Sequence, residues 1–396
     1  MRGTSDAEAE ARVLTSDIGK TLLAEVSSVL VPRPAELIRW RKEASADLVS
    51  AALRLAASRR RGAAKFSRAE AMWLEATGLE QATAEPVSRH KARRFAGGLV
   101  VDLCAGIGGD TLALASGASV LAVDLDAGMN RRTRWNAEVY GVAARVAPIR
   151  ARAEAFPIPQ GARIHIDPDR RAVYGKSGRA RTLRDYVPGP GFLARLPEMA
   201  SGGAIKLGPA SDFASHFAGG RFEVELVSLG GECKEATVWF GDLATCRRRA
   251  TRLPDGATWT DRSAPYASPI APQGPSRLVF DPDPALIRSG LLDSFATAHG
   301  LSRCVAGIDF LTGPDRVESP FLAEFLVLEV LPLDIKALRR LVVSRGLGPL
   351  EIKTKGVDVR PETLRGQLRP PGPNPATLLL MGGRGPTRVV LATRVG

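Results

Sequence analysis

Apolar residues at Ile18, Leu22, Val26 and Val29 recur at helical spacing and predict a helix that the VPRP stretch at 31–34 breaks. A second helical pattern carries Leu48, Ala52 and Leu55 and runs out into the basic cluster SRRRGAAK. From Gly98 the rhythm changes to short β-rich runs separated by helical ones: GLVVDL, SVLAVD, RVAPI, RIHID, GAIKL, FEVELVSL and EATVWFGD. Strands alternating with helices predict a doubly wound, mostly parallel α/β sheet. Only the short GGECK separates the last two runs, so an antiparallel hairpin is expected at the sheet's edge.

From Cys246 to about Arg277 the chain is rich in Arg, Pro, Ser and Gly, as in CRRRATRLPDGATW and SAPYASPIAPQGPS, and reads as a linker. Beyond it come a helical pattern in PALIRSGLLDSFATAHG, strand runs in FLAEFLVLEVLPL and a basic helix in DIKALRRLVVSRG. The strand PLEIKTKG, the helix PETLRGQL and a final hairpin in ATLLLMGGRGPTRVVLATRV complete a small α+β domain. The expected division is a helical region (1–95), an α/β domain (96–246), a linker with a connecting helix (247–300) and the α+β domain (301–396).

Composition adds bounds. The 396 residues leave room for two or three domains, and 44% apolar with 24% charged residues indicates ordinary buried cores. The longest apolar runs are interrupted and fall short of a bilayer span. The start, MRGTSDAEAEARVL, has acids where a secretory signal has a basic region, so a cytoplasmic location without membrane attachment is expected. Cys104, Cys233, Cys246 and Cys304 lie far apart with no CxxC, and there are four histidines, which argues against a disulfide framework and a bound metal. The net charge of +13 matters more. It favours a polyanionic partner, nucleic acid before membrane; a composition that merely prefers arginine is the alternative.

Candidate chemistry begins at VVDLCAGIGGDTLALA, Val100 to Ala115, where a strand ends on an acid and enters a glycine-rich turn. A dinucleotide fingerprint needs a third glycine, where this chain has Thr111; a phosphate-cradling P-loop needs a lysine that is absent. What remains is Asp102 at one strand end, Gly106 and Gly108 in the turn, and Asp124 at the end of SVLAVD. That set suits S-adenosylmethionine. The glycines let the backbone approach its methionine portion, Asp102 can accept from its ammonium, and Asp124 can take both ribose hydroxyls. A tight turn with glycines for geometry alone is the alternative.

The runs DLCAGIGGDTLALA, VLAVDLD and RWNAEVYGV resemble class I S-adenosylmethionine-dependent methyltransferases, and NAEVYGV is similar to the cap-guanine N2 methyltransferases (trimethylguanosine synthases). With QAT at 81–83, DPDRR at 167–171 and LEIKTKG at 350–356, most of residues 35–396 resembles bacterial methyltransferases with a THUMP-like C-terminal domain. The resemblance implies a Rossmann-like seven-stranded sheet, S-adenosylmethionine as cofactor, and RNA (tRNA or rRNA) as partner. It places Asp102, Cys104, Ala105, Gly106, Gly108, Asp124 and Leu125 at the cofactor. Cys104 stands where many relatives have the first glycine. Where the usual pattern has an adenine-binding Asp after strand three, this chain has Arg152, with Glu154 two residues on as a substitute.

HIDPDRRA lies where amino-methylating relatives carry an acid, two prolines and an aromatic. There the acid and a proline carbonyl orient the target amine, and the aromatic stacks on the base. Asp167 and Pro168 are kept; Asp169 replaces the second proline and Arg170 the aromatic, which can stack or clamp a phosphate. Asp167, Pro168 and Arg170 are therefore the candidate catalytic residues, with Asp167 as a mere helix cap the alternative. A second DPD, Asp281–Asp283, reads as a helix cap. Pyrimidine carbon-5 methylation needs a cysteine nucleophile; the AIKLGPASDF run has none, and Cys233 is a residual candidate. Arg131, Arg132 and Arg134, then Arg170, Arg171, Lys176, Arg179, Arg181 and Arg184, form candidate phosphate contacts, as do Lys336, Arg339, Arg340, Arg345, Lys353 and Lys355. Three whole-protein readings stay open: an RNA methyltransferase, a non-catalytic RNA-binding protein with a structural cofactor site, and a small-metabolite methyltransferase.

Overall fold

The computed structural model describes residues 2–169, 182–217, 221–264, 270–383 and 385–395. The chain divides into two compact units, Met1–Glu223 with Ala236–Thr245, and Val224–Glu235 with Cys246–Gly396.

In the first unit, six helices precede the sheet: α1 (Arg2–Thr15), α2 (Asp17–Ser27), α3 (Pro34–Glu43), α4 (Ala46–Gly62), α5 (Ala76–Gln81) and α6 (Glu85–Ala92). Ser16 and Ser45 begin α2 and α4 by accepting from the Gly19 and Leu48 amides, and Pro34 opens α3 where its missing N–H costs nothing. Their apolar faces meet in one core of Val13, Leu22, Val26, Trp40, Leu48, Ala52 and Leu55. Ile18, expected on that stripe, is 60% exposed.

Strands β1 (Leu99–Leu103), β2 (Ser119–Asp124), β3 (Val146–Arg150), β4 (Arg163–Ile166) and β5 (Gly202–Leu207) run parallel, with α7 (Gly109–Leu114) and α8 (Ala127–Val139) as crossovers. Short helices α9 (Pro190–Leu193) and α10 (Leu196–Met199) precede β5, and α11 (Phe213–His216) follows it. β6 (Phe222–Leu229) and β7 (Glu232–Gly241) come next, and β7 pairs antiparallel with β5. The hydrogen-bonding order in this unit is β3-β2-β1-β4-β5-β7. The order in which strands are added reverses between β1 and β4, and the carboxyl ends of the strands at such a point form the ligand crevice of α/β sheets.

In the second unit β6 is not an edge. β8 (Arg248–Leu253) pairs with it in parallel, and β9 (Ala257–Thr260) pairs with β8. The arginine-rich run read as linker contains the buried Ala250, Thr251 and Leu253, and the Thr251 hydroxyl donates to buried Glu225 at 2.5 Å. The helical pattern at 284–300 splits into α12 (Pro284–Arg288) and α13 (Leu292–Ala298). A seven-stranded sheet is built from β10 (Leu278–Pro282), β11 (Ser302–Arg303), β12 (Leu311–Gly313), β13 (Leu322–Pro332), β14 (Leu347–Lys355), β15 (Asn374–Met381) and β16 (Arg388–Val395). Helices α14 (Ile335–Ser344) and α15 (Pro361–Leu368) pack on it through Leu338, Val342, Leu364 and Leu368. Among the described residues no helix is long and apolar enough to cross a membrane.

Candidate cofactor and acceptor site

The turn between β1 and α7 is built of left-handed backbone. Cys104 has φ +61°, Gly106 +57° and Gly108 +89°. Cys104 thus adopts the conformation that a glycine takes without penalty, at a cost of order 1 kcal/mol or more. A Cβ on Gly106 would meet nothing within 4 Å, so bare backbone faces an opening, whereas at Gly108 it would meet the Thr133 methyl at 3.1 Å. Thr133, on α8, donates to the Gly106 carbonyl at 2.8 Å and pins the turn.

Asp124 ends β2. One oxygen accepts from the Gly106 amide and the other from the Asp126 amide, each at 2.8 Å. Burial pushes its carboxyl above the usual range against those two hydrogen bonds. Leu125 beside it is 57% exposed, an apolar surface next to a polar anchor. Ala105 closes the turn by donating to the Val123 carbonyl at 3.1 Å. Glu154 lies exposed in a single helical turn after β3.

Asp102 occupies a different place from the one its position in the motif suggests. It is 1% exposed; Thr111 on α7 donates to one of its oxygens, and His165 Nδ1 on β4 lies 2.7 Å from the other. Its carboxylate braces β1, α7 and β4 from within. Neighbouring Asp110 is buried too, held by Thr83 at 2.6 Å and by the ammonium of Lys91, itself 1% exposed, at 2.9 Å. Burial raises the Asp110 carboxyl, but Lys91, His165 and Lys206 outweigh it and hold it below the ordinary range. Removing one partner of such a buried pair typically costs about 3–5 kcal/mol.

Asp167 follows β4, anchored by its amide to the Leu103 carbonyl at 3.2 Å. Its Oδ2 lies 2.5 Å from Lys206 Nζ on β5, and the side chain is 28% exposed. Pro168 is buried; Asp169 accepts from the Gln81 amide at 3.1 Å and pairs its backbone with Val187. Burial raises the Asp167 carboxyl in spite of Lys206. The sequence reading missed Lys206, Lys91 and His165. Their signal was a charged or polar residue inside an apolar run: AIKL for Lys206 and RIHID for His165.

Burial pushes the Cys104 thiol well above its usual range and the Cys233 thiol up to about 12, which disfavours the thiolate a nucleophilic role needs. Several basic candidates are also committed elsewhere. Arg132 is buried in a two-point pair with Glu10 at 2.9 and 3.0 Å, so it is no phosphate contact. Arg131 lies over the Trp135 ring, and Arg134 is exposed. Arg170, Arg171, Lys176, Arg179 and Arg181 lie outside the described residues; Arg184 is exposed. In the second unit Lys353 and Lys355 meet Asp281, and Arg345 meets Glu329, leaving Lys336, Arg339 and Arg340 as the exposed basic residues of α14.

Comparison with known proteins fits this geometry. Residues 97–168 match the RNA cap guanine-N2 methyltransferase family, and residues 322–394 match the THUMP domain-like family. Proteins from two strains of Mycobacterium tuberculosis, both named as S-adenosylmethionine-dependent methyltransferases, are 35% identical over 311 residues, 76% of this chain and 82% of theirs. The chain belongs to the S-adenosylmethionine-dependent methyltransferases. A solved structure from Porphyromonas gingivalis, named for a methyltransferase, superposes with a TM-score of 0.75 at 19% identity, covering 95% of this chain and 98% of that one, and so shares its fold.

The residues present suit the methyltransferase cofactor. Open space over Gly106 admits a ligand against bare backbone, Asp124 offers a partly buried carboxylate for hydroxyl groups, and exposed Leu125 offers an apolar face.

Proposed function

We propose that this methyltransferase modifies RNA, holding its cofactor on Gly106, Gly108, Asp124 and Leu125 and aligning the acceptor with Asp167 and the Pro168 carbonyl. When bound, S-adenosylmethionine supplies a methyl group already activated by its sulfonium, so alignment is the main task left to the protein. The observation that carries the reading is the pair of strand-end carboxylates, Asp124 and Asp167, on β2 and β4 of one sheet and both pushed upward by burial. Asp124 hydrogen-bonds the ribose hydroxyls. Asp167 accepts from the acceptor amine and turns its lone pair toward the methyl group. Asp102, His165 and Thr111 keep the turn in shape from below, and Glu154, exposed after β3, meets the adenine end.

RNA as substrate is supported by the excess of positive charge, by the exposed Lys336, Arg339 and Arg340, and by the family descriptions matched at residues 97–168 and 322–394. The test is methyl transfer from labelled S-adenosylmethionine to total RNA from cells lacking this gene. Wild-type protein should label the RNA. By calorimetry, Asp124→Ala should lose about 1.5–3 kcal/mol of cofactor affinity; unchanged affinity would remove Asp124 from the site.

A further inference from the structure

Lys206 is a charge placed in the middle of an apolar strand, between Ile205 and Leu207, both of which are buried. An ammonium 14% exposed is costly unless its charge is matched. Its partners are Asp167 Oδ2 at 2.5 Å and the Gln81 carbonyl at 3.3 Å. Gln81 in turn donates its side-chain amide to Asp169 at 3.1 Å, so one residue steadies both the lysine and the turn that carries Asp167. Among the described residues Asp167 Oδ1 has no partner, which leaves one carboxylate oxygen available while the other is fixed.

We infer that Lys206 is the positioning residue of the acceptor site: it fixes the Asp167 carboxylate through Oδ2 and keeps it ionised, so that Oδ1 is presented to the acceptor. This rests on the acceptor role proposed above for Asp167. Among the described residues, the groups that face Asp167 are Lys206 from β5, Lys91 from α6, Asp110 from α7 and the Cys104 thiol from the turn after β1. Burial and Asp110 push the carboxyl upward, and the two lysines oppose them. Among the described residues, Lys206 alone is in hydrogen-bonding contact with its side chain. A neutral residue there would leave a desolvated acid beside a second acid, and protonation would convert the acceptor oxygen into a hydroxyl donor.

The test follows the carboxyl directly. The full chain is labelled with carbon-13 at aspartate carboxyls, and the Asp167 resonance is assigned by its loss in Asp167→Asn. In Lys206→Met the Asp167 titration should move up by about one pH unit or more. The acid limb of methyl transfer to total RNA should move with it, and turnover at neutral pH should fall about tenfold or more. Lys206→Arg should bring both midpoints back toward wild type, and Lys206→Gln replaces Met if folding is disturbed. An unmoved Asp167 titration in folded Lys206→Met overturns the proposal, as does a moved titration with an unmoved activity profile. Wild-type protein that transfers no methyl group to RNA would instead sink the RNA reading, and this inference with it.

Discussion

The tripeptide Asp-Pro-Asp occurs at 167–169, after β4 of the first unit, and at 281–283, at the end of β10 in the second. In both, the first acid meets lysine from another strand. Asp281 meets two, Lys353 at 2.7 Å and Lys355 at 2.6 Å, and together they outweigh burial and hold its carboxyl below the usual range. Among the described residues Asp167 has one lysine in contact, and burial wins; its carboxyl is pushed up. The closing acids differ as well. Asp283 caps α12 by accepting from the Ala285 amide at 2.8 Å, whereas Asp169 takes Gln81. One turn is a closed structural joint, and the other keeps an oxygen without a partner among the described residues. Chemistry follows from what surrounds the tripeptide.

The comparison breaks if exchanging the two turns' roles has no consequence. Asp167→Ala should lower methyl transfer by about 10²-fold or more with cofactor affinity nearly intact, and a single-turnover assay checks it. Asp281→Ala should do the reverse, leaving turnover of the folded protein unchanged and costing about 1.5–3 kcal/mol of stability at neutral pH, read by a chemical melt. Loss of turnover in Asp281→Ala alone would reverse the assignment.

pH sharpens the contrast because the two shifts have opposite signs. The folded-state carboxyl of Asp281 is lowered, so its contribution to stability is complete above the unfolded value of about 3.9 and disappears as pH falls through the folded value. The stability gap between wild type and Asp281→Ala should therefore close only in strong acid. The Asp167 carboxyl is raised, and the acceptor role proposed for it needs it ionised, so turnover should fall on acidification at a pH above about 4, while the fold is still intact. Activity that fails only together with the fold would contradict this.

The smallest effects concern charge. Replacing Lys336 or Arg339 by Gln should weaken RNA binding and reduce the slope of log affinity against log salt by about 1 each. Replacing Lys353 should leave the slope unchanged, since its ammonium already serves Asp281. Equal slopes for the two classes would move the RNA contacts away from α14.

Much of the fold was legible because the alternation of strand and helix in residues 98–241 is regular, and each of the seven β-rich runs is a strand. β8 and β9 were not, since the arginines interspersed among the buried Ala250, Thr251 and Leu253 break the apolar alternation that marks a strand. At the site, spacing pointed to the glycine turn and Asp124 and the family resemblance to Asp167; the fold puts these residues at the carboxyl ends of neighbouring strands in one sheet. Spacing says nothing of what a carboxylate meets across the sheet. Asp102 therefore read as a cofactor contact, although it is 1% exposed and braced between Thr111 and His165, and Arg132 read as a phosphate contact, although Glu10 neutralises it inside the first unit. Such pairings join residues far apart in the chain, and only the fold brings them together.

The central claim is that Asp167 aligns a nucleotide of RNA for methylation. Its most direct test is mass spectrometry of nucleosides from tRNA and rRNA of cells without this gene, complemented with wild type, Asp167→Ala or Asp281→Ala. One methylated nucleoside should be missing without the gene, return with wild type and with folded Asp281→Ala, and stay missing with Asp167→Ala. Identical nucleoside profiles with and without the gene would contradict the account.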